Sequence, residues 1–585
     1  MRANALRPND RRQAMASNRP TISGTRHVIA AGHYLATHAG FQILEAGGNA
    51  VDAGVCAGIC IGVLQGEKVS FAGVAPTIIY RAEDRKLVSI DGLGVWPKAI
   101  TPDYFQKNHG GKIPPGVLRS VVPAAPDAWL TALEHYGTMT FGEVAAAAIR
   151  FARDGFPMYP LMTEFIADQV DNYRRWPSSA AVFLPNGKPP VVGELFVQSD
   201  LARTLQYMVD EEKANGRKGR STGIQAARDA FYKGDIAQKI VEFHEESGGL
   251  LRRDDLAEYR VRFEPTVSSN FHGIDVHACG SWCQGPTLPI ALNLLKGYDL
   301  KALGHNSPDY VHVVTEALKL AFADRHNYIG DPRFVSVPIE GLLSEGYAEQ
   351  RRSQIRMDKA WPQMPPAGDP PGSEGLPRAK LPTPQADDVR PGDTSYLCVI
   401  DRHGNAFSCT PSDGSNQTPI IPGLGVIASG RGTQSWADPS HPCSVAPGKR
   451  PRLTPNPALA LKNGRVLMPF GTPGGDVQIQ SMVQVFLNVH VFGMDVQSAI
   501  EAPRFASYSF PGSFEPHPYF PGLLMMEGRI DAATGEALKA RGHRVDWWDE
   551  WTWLAGAPCA IVVDQEHGIL HGGADPRRPA YVLGW

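Results

Sequence analysis

From residue 26 to about residue 356, apolar positions alternate between helical and strand spacing, with short breaks, as they do in mixed α/β proteins. Residues 41–46 run into Gly47-Gly48, a glycine pair that stops a helix. Asn49 then caps an apolar stretch whose lack of a polar face predicts a helix buried on most sides. That stretch, 50–64, is the longest apolar run, and Asp52, Gly54 and Gly58 interrupt it, so no transmembrane helix is expected. Thr140 and Glu143 form a capping box that opens a helix over 144–153, stopped by Gly155. The spacing over 310–326 predicts another amphipathic helix, ending before Asp331-Pro332.

The pattern breaks at 360–391, which is crowded with Pro, Gly and Asp. Such a stretch buries little apolar surface and is predicted to be exposed and mobile; taken alone, it reads as a domain linker. The next residues along the chain point elsewhere. Residues 394–401 are an apolar run of strand length suited to a strand covered on both faces, Arg402-His-Gly-Asn405 is a turn, and a returning strand starts at Ala406. A hydroxyl residue, Thr394, therefore stands where a flexible segment meets a buried strand. A cut before it would leave a free amine held rigidly by a sheet.

Composition limits the alternatives. A chain of 585 residues is too long for one ordinary core, so two lobes or one large layered unit are expected. Hydrophobic residues make up 43% and charged residues 20%, a globular profile. A net charge of −3 and a pI near 6.7 point to neither nucleic acid nor a membrane as partner; a homo-oligomer is compatible with the sequence. The polar, Arg-rich extension 1–25 lacks the apolar core of a secretory signal, and the eight cysteines form no zinc-like double pair, so a cytoplasmic protein is expected.

The chemistry centres on Thr394. A threonine hydroxyl is a weak nucleophile until a base takes its proton, and an N-terminal threonine carries that base as its own α-amine, whose pKa lies near ~7.7–8.0. In the uncut chain the same hydroxyl can attack the Asp393 carbonyl, giving an ester that water opens. No metal or cofactor is needed. Acyl transfer also requires oxyanion donors, and the turn Gly471-Thr-Pro-Gly474-Gly475, between a strand-like run at 466–470 and a helix at about 478–492, can present backbone N–H groups. Glycine-rich turns of this kind are also commonly structural. His312 and Glu316 stand one helical turn apart, yet without a third ligand a packed face is the better reading than a metal site. Trp547, Trp548, Trp551 and Trp553 read as packing in the last sheet rather than as an aromatic pocket.

Several blocks, in order along the chain, resemble the gamma-glutamyltransferase family of N-terminal-nucleophile hydrolases: Gly47-Gly-Asn-Ala-Val-Asp-Ala53, Tyr136-Gly-Thr, Ala152-Arg-Asp-Gly-Phe156, Glu316-Ala-Leu-Lys-Leu-Ala-Phe-Ala-Asp-Arg325, Gly330-Asp-Pro332, Gly448-Lys-Arg-Pro451, Gly471-Thr-Pro-Gly-Gly475, Glu501-Ala-Pro-Arg-Phe505 and Asp575-Pro-Arg577. The resemblance spans residues 26–585. It implies an α+β fold, a four-layered αββα sandwich. It also implies a precursor cut between Asp393 and Thr394 into a large fragment, 26–393 with its extension, and a small one, 394–585, which together form one unit. By the same resemblance Thr394 is the nucleophile, Ser412 the supporting hydroxyl, and Gly474 and Gly475 the oxyanion glycines.

The positions that hold a γ-glutamyl head group in the family are altered. Ungapped counting places Leu93 at the family's carboxylate-binding arginine, Gly414 and Thr433 at its asparagine and aspartate, and Leu453-Thr454 at its serine pair. The glycine-rich loop before the second strand is reduced to Phe71-Ala-Gly-Val-Ala-Pro76, while Arg431 remains as a cation able to meet a carboxylate. The resulting expectation is a self-processing amidohydrolase that acts on a small acyl amide outside the standard γ-glutamyl class, as oxamate amidohydrolases and cephalosporin acylases do within the family. The alternatives are a true glutathione hydrolase or transferase, a matured homologue that cleaves a C–C bond, and a non-catalytic scaffold.

Overall fold

The computed structural model describes residues 17–384 and 394–585. Two seven-stranded sheets stack face to face. One contains, side by side, the strands Tyr581–Gly584, Val28–Ala31, Leu397–Ile400, Ala406–Cys409, Thr77–Arg81, Lys86–Ile90 and Phe263–Glu264. The other runs Ile22–Gly24, Ile569–Ala574, Cys559–Asp564, Arg465–Gly471, Ala458–Lys462, Ile274–Ala278 and Val267–Phe271. Alternation along each strand assigns the layers. Ile29, Ala31, Leu397, Val399 and Phe407 face the helices Tyr34–Glu45, Ala50–Leu64, Ala125–Tyr136 and Phe141–Asp154, while Val28, Ala30, Cys398, Ile400 and Ala406 face the other sheet. In that sheet Leu459, Cys559 and Ile561 face inward, and Val276, Ala458, Met468 and Phe470 face the helices Thr287–Leu295, Pro308–Tyr328 and Val477–His490. The architecture is the αββα sandwich.

The first sheet interleaves residues from both sides of position 394. Leu397–Ile400 pairs antiparallel with Val28–Ala31 on one side and with Ala406–Cys409 on the other, which pairs in turn with Thr77–Arg81. The helix Ala50–Leu64 is buried along its whole length, as its missing polar face predicts, and Asn49 with Asp52 closes its start as a capping box. The capping box at Thr140 and Glu143 also forms.

Two expectations change. The proline-rich segment is largely exposed, as expected, but it is held by hydrogen bonds over 361–379. It is strapped along the helix Pro308–Tyr328: Trp361 N donates to Glu316 (2.9 Å), Lys319 to Trp361 O (2.8 Å), Gly368 N to Asp324 (3.0 Å), Tyr328 to Gly368 O (2.7 Å) and Ala379 N to Asn327 (3.0 Å). The helix is buried around its circumference, so its polar side chains need partners, and an extended chain with exposed amides and carbonyls supplies them. Residues 385–391 of that segment, residues 1–16 of the N-terminal extension, and the Asp393 side of the cleavage site lie outside the described residues. The tryptophans divide: Trp547 and Trp548 pack on a sheet strand as expected, whereas Trp551 and Trp553 do not. Trp547 and Trp548 end a strand, Arg544–Trp548, of a separate three-stranded sheet, Trp551 is exposed beside Arg529 and Arg577, and Trp553 lines a cavity.

Candidate active site

At one end of the first sheet the pairing continues past the strands as isolated bridges: Thr394 opposite Ser412, and Ser412 opposite Val74. This sets Thr394 abreast of Ser412, with both side chains fully buried. Ser395 N donates to Pro411 O (3.0 Å), and Gly32 N to Tyr396 O (3.0 Å). Glycine is required at one contact here: a Cβ on Gly73 would collide with the backbone oxygen of Ser412.

Thr394 Oγ1 lies 2.9 Å from Ser412 Oγ. Arg431, buried, donates from Nη2 to the same Ser412 oxygen. A guanidinium can only donate, so Ser412 accepts from Arg431, and the adjacent positive charge makes its own O–H a better donor toward Thr394. Asp413 anchors this arginine: its carboxylate lies 3.7 Å from Arg431 Nε and accepts from Gly430 N (3.1 Å) and from Ser429 Oγ. Burial raises the Asp413 pKa, and Arg431 opposes that shift. Asp413 sits at φ 119°, a conformation that non-glycine residues rarely adopt, held between Ser412 and Gly414. On the other side Arg578 Nη1 donates to Thr394 O (3.1 Å), with its guanidinium over the ring of Trp553.

Gly474 and Gly475, at φ 123° and 57°, form the turn that opens the helix Val477–His490. A bracket of buried polar groups fixes the turn. Gln284 Nε2 donates to Gly475 O (3.2 Å) and to Thr454 O (2.7 Å), Gln284 Oε1 accepts from Arg325 Nη1 (2.9 Å), and the same arginine pairs with Asp476 at the helix start. Burial brings the Arg325 pKa down to about 10, against the pull of Asp476. The Glu316–Arg325 block thus reaches the site through its last residue.

Gly414, Arg431, Thr433 and Gly474 line one cavity of about 820 Å³, together with Arg119 and the aromatic side chains Phe165, Tyr508, Phe510, Phe514, Phe520 and Trp553. Three sequence-predicted substrate contacts fall elsewhere. Leu93, in the loop after the strand Lys86–Ile90, is buried in the apolar cluster between the two sheets, which a charged side chain could not share. Leu453, in the same cluster, bridges to Cys283. Thr454 is buried and accepts from Gln434 Nε2 (2.8 Å). Arg431 reaches the cavity wall but is engaged with Ser412 and Asp413 rather than presented as a carboxylate clamp. Sequence reasoning missed Asp413, Arg578, Arg119 and the aromatic loop. The first adjoins Ser412 and the second extends the Asp575-Pro-Arg577 block, so both were within reach. The aromatic density of 508–520 was a further signal.

His312 and Glu316 do meet a third candidate ligand, His543, whose Nε2 lies 2.9 Å from His312 Nδ1. Both Glu316 oxygens are already used, one by buried Lys319 (2.7 Å) and one by Trp361 N (2.9 Å). A cation there would sit against a buried ammonium, so the packed reading stands.

The family model described as Gamma-glutamyltranspeptidase matches residues 36–585. The chain is 32% identical to the Glutathione hydrolase-like YwrD proenzyme of Bacillus subtilis (strain 168), over 96% of this chain and 99% of that protein. It is also 32% identical to the Acylase ACY 1 proenzyme of Pseudomonas sp. (strain SE83), over 98% and 96%. The crystal structure of cephalosporin acylase from Bacillus halodurans superposes with a TM-score of 0.84 at 28% identity, covering 100% of this chain and 99% of that one. With a match to the family model over residues 36–585, proenzyme relatives matched along nearly their whole length, and the same fold, the chain belongs to the gamma-glutamyltranspeptidase family of autoprocessing N-terminal-nucleophile hydrolases.

Proposed function

We propose that the matured protein hydrolyses an acyl amide outside the γ-glutamyl class, through an acyl-enzyme on Thr394. The observation that carries this reading is the hydroxyl pair Thr394–Ser412 at 2.9 Å, backed by Arg431, which itself lines the cavity with Asp413. In the precursor the Thr394 hydroxyl attacks the Asp393 carbonyl; the peptide C–N bond breaks as the ester forms, which frees the α-amine, and water then cleaves the ester to the Asp393 carboxylate and the free Thr394 hydroxyl. In the mature site that amine takes the Thr394 proton as the oxygen attacks the substrate carbonyl. Ser412 and Arg431 stabilise charge on the nucleophile, and Gly474 and Gly475 supply N–H donors to the oxyanion. The amine product then leaves with the proton, and water hydrolyses the ester. The interleaved first sheet holds the two fragments together after the cut.

The test has two parts. Purified protein should separate into two pieces on a denaturing gel, the smaller beginning Thr-Ser-Tyr-Leu, and Thr394→Ala should stay whole. The matured enzyme should then release amine from simple acyl amides in preference to glutathione. An active, uncut wild type would refute the mechanism. Glutathione hydrolysis is the second reading, supported by the names of several relatives. Against it, the arginines of the cavity wall are already engaged within the protein, Arg119 with Pro114 O and Ile113 O and Arg431 with Ser412. Efficient γ-glutamyl release, abolished in Thr394→Ala, would establish it instead.

A further inference from the structure

We infer that the substrate of this site carries an aromatic ring beside the bond that is cleaved. The inference rests on the reading of the cavity as the substrate site, and it narrows the class of substrate. Six aromatic residues from three parts of the chain converge on the cavity: Phe165, Tyr508, Phe510, Phe514, Phe520 and Trp553. Four of them, Phe165, Tyr508, Phe514 and Trp553, are only half-buried; Lys68 stands over the rings of Phe165 and Trp553, Arg578 over Trp553 and Arg431 over Phe514, so a ligand ring would meet the remaining faces and edges. At about 820 Å³ the space is within the range of drug-sized ligand sites and exceeds what an acetyl group fills.

The arginines of the wall and Asp476 already have partners within the protein. Arg119 donates to Pro114 O (3.0 Å), Ile113 O (3.1 Å) and Gln417, with Glu515 close by. Arg431 is engaged with Ser412 and Asp413. Asp476 accepts from Arg325 and from Ser513 through N (2.8 Å) and Oγ (2.6 Å). A ligand carboxylate would have to compete with these pairs or be desolvated without one. A ring would gain apolar contact and edge-to-face packing. The lining is also preorganised. Phe510 stacks on Phe322 at 3.9 Å, Gly512 N donates to Pro518 O (2.8 Å), Glu515 N to Thr433 O (2.8 Å) and Gly522 N to Ser509 Oγ (2.9 Å), so little of the loop needs to order on binding.

The ring can belong to the acyl part or to the amine part, and the assay separates the two. Matured enzyme is given N-butylacetamide, N-butyl phenylacetamide, N-benzylacetamide and γ-glutamyl butylamide, and product is quantified by mass spectrometry. One ring-bearing amide should exceed N-butylacetamide in kcat/KM by about 10²-fold, the scale of burying one aromatic side chain. That ratio should shrink about tenfold in Phe514→Ala and Trp553→Ala as the ring loses part of its contact surface. Ring-bearing amides within about threefold of N-butylacetamide, or γ-glutamyl butylamide as the best substrate, would overturn the inference. Calorimetry with phenylacetamide and acetamide reads ring preference without turnover. Tighter phenylacetamide binding with no amide cleaved would keep the ring and sink the hydrolase reading. Equal binding by the two would overturn the ring whatever the enzyme cleaves.

Discussion

Removing the Ser412 hydroxyl tests the core of the mechanism. In Ser412→Ala the Thr394 oxygen loses a hydrogen-bond partner at 2.9 Å, and Arg431 loses the acceptor that ties it to the site. In the ground state the lost bond is neutral and contributes about 1 kcal/mol. As the Thr394 proton leaves, the bond becomes charge-assisted, and such bonds contribute about 1.5–3 kcal/mol. The barrier should rise by that larger amount, so kcat should fall roughly 10- to 150-fold. Both side chains are fully buried, which argues against water replacing the lost group. KM should change little, because the lost contact is to the nucleophile. Maturation should slow as well, since the same hydroxyl performs the self-cut. A buried guanidinium deprived of an acceptor costs about 1–3 kcal/mol of stability. The assay follows the uncut band on denaturing gels over time, then measures kcat on material matured to completion, beside Ser412→Thr. The threonine variant should recover most of the loss. A matured Ser412→Ala enzyme with kcat within about threefold of wild type would show that the pair is a packing contact and not part of the nucleophile's activation.

Gly475→Val forces a β-branched residue into φ 57° at the oxyanion turn, and kcat should fall by at least ~10²-fold with folding retained; normal turnover would remove this turn from the mechanism. Arg450 meets Asp91 (2.9 Å), Glu264 (2.6 Å) and Asp331 (2.9 Å) in the interior, so Arg450→Met should lower unfolding free energy by about 3–5 kcal/mol, read as a lower denaturant midpoint. An unchanged midpoint would contradict this. Burial holds the imidazoles of His326 and His517 down, to about 3 and about 4, beside the ring of Trp436. The native state keeps them neutral while the unfolded chain takes up protons below about pH 6.5, so their contribution is intact above 6.5 and is lost as pH falls toward 4, at about 1.4 kcal/mol per pH unit for each. Urea melts between pH 7.5 and 5 should show a shallower pH dependence in His517→Gln than in wild type; equal slopes would refute the assignment.

Much of the fold was legible because local signals and tertiary demands agree. The helix Ala50–Leu64 has no polar face, and it is buried all round. Thr140 and Glu143 close the cap that their spacing announces. The strand after Thr394 is apolar on both faces because one face meets helices and the other a second sheet. Where local composition was a poor guide, a long-range partner decided. Proline density over 360–384 speaks of an unstructured chain, yet the segment is held by side chains of a helix some forty residues earlier, and nothing in its own composition encodes that helix's unmet hydrogen bonds.

The site divides in the same way. Thr394, Ser412 and the glycine pair sit where a strand begins, where its neighbour ends and where a helix starts, positions that a linear pattern reveals. Specificity was harder to read, because the cavity wall is assembled from side chains far apart in sequence, and ungapped counting assumes that a position keeps its direction when its loop changes length. Leu93 shows the cost of that assumption. The loop at Phe71–Pro76, shortened in sequence, packs Val74 against Ser412 and leaves Leu93 in the slot between the sheets. The cations near the nucleophile come instead from Arg431 and Arg578, one fixing the supporting hydroxyl and the other the Thr394 carbonyl. Arg431 is a cation of the cavity wall and is engaged with Ser412 and Asp413, so the same side chain borders the cavity and orders the hydroxyl beside Thr394.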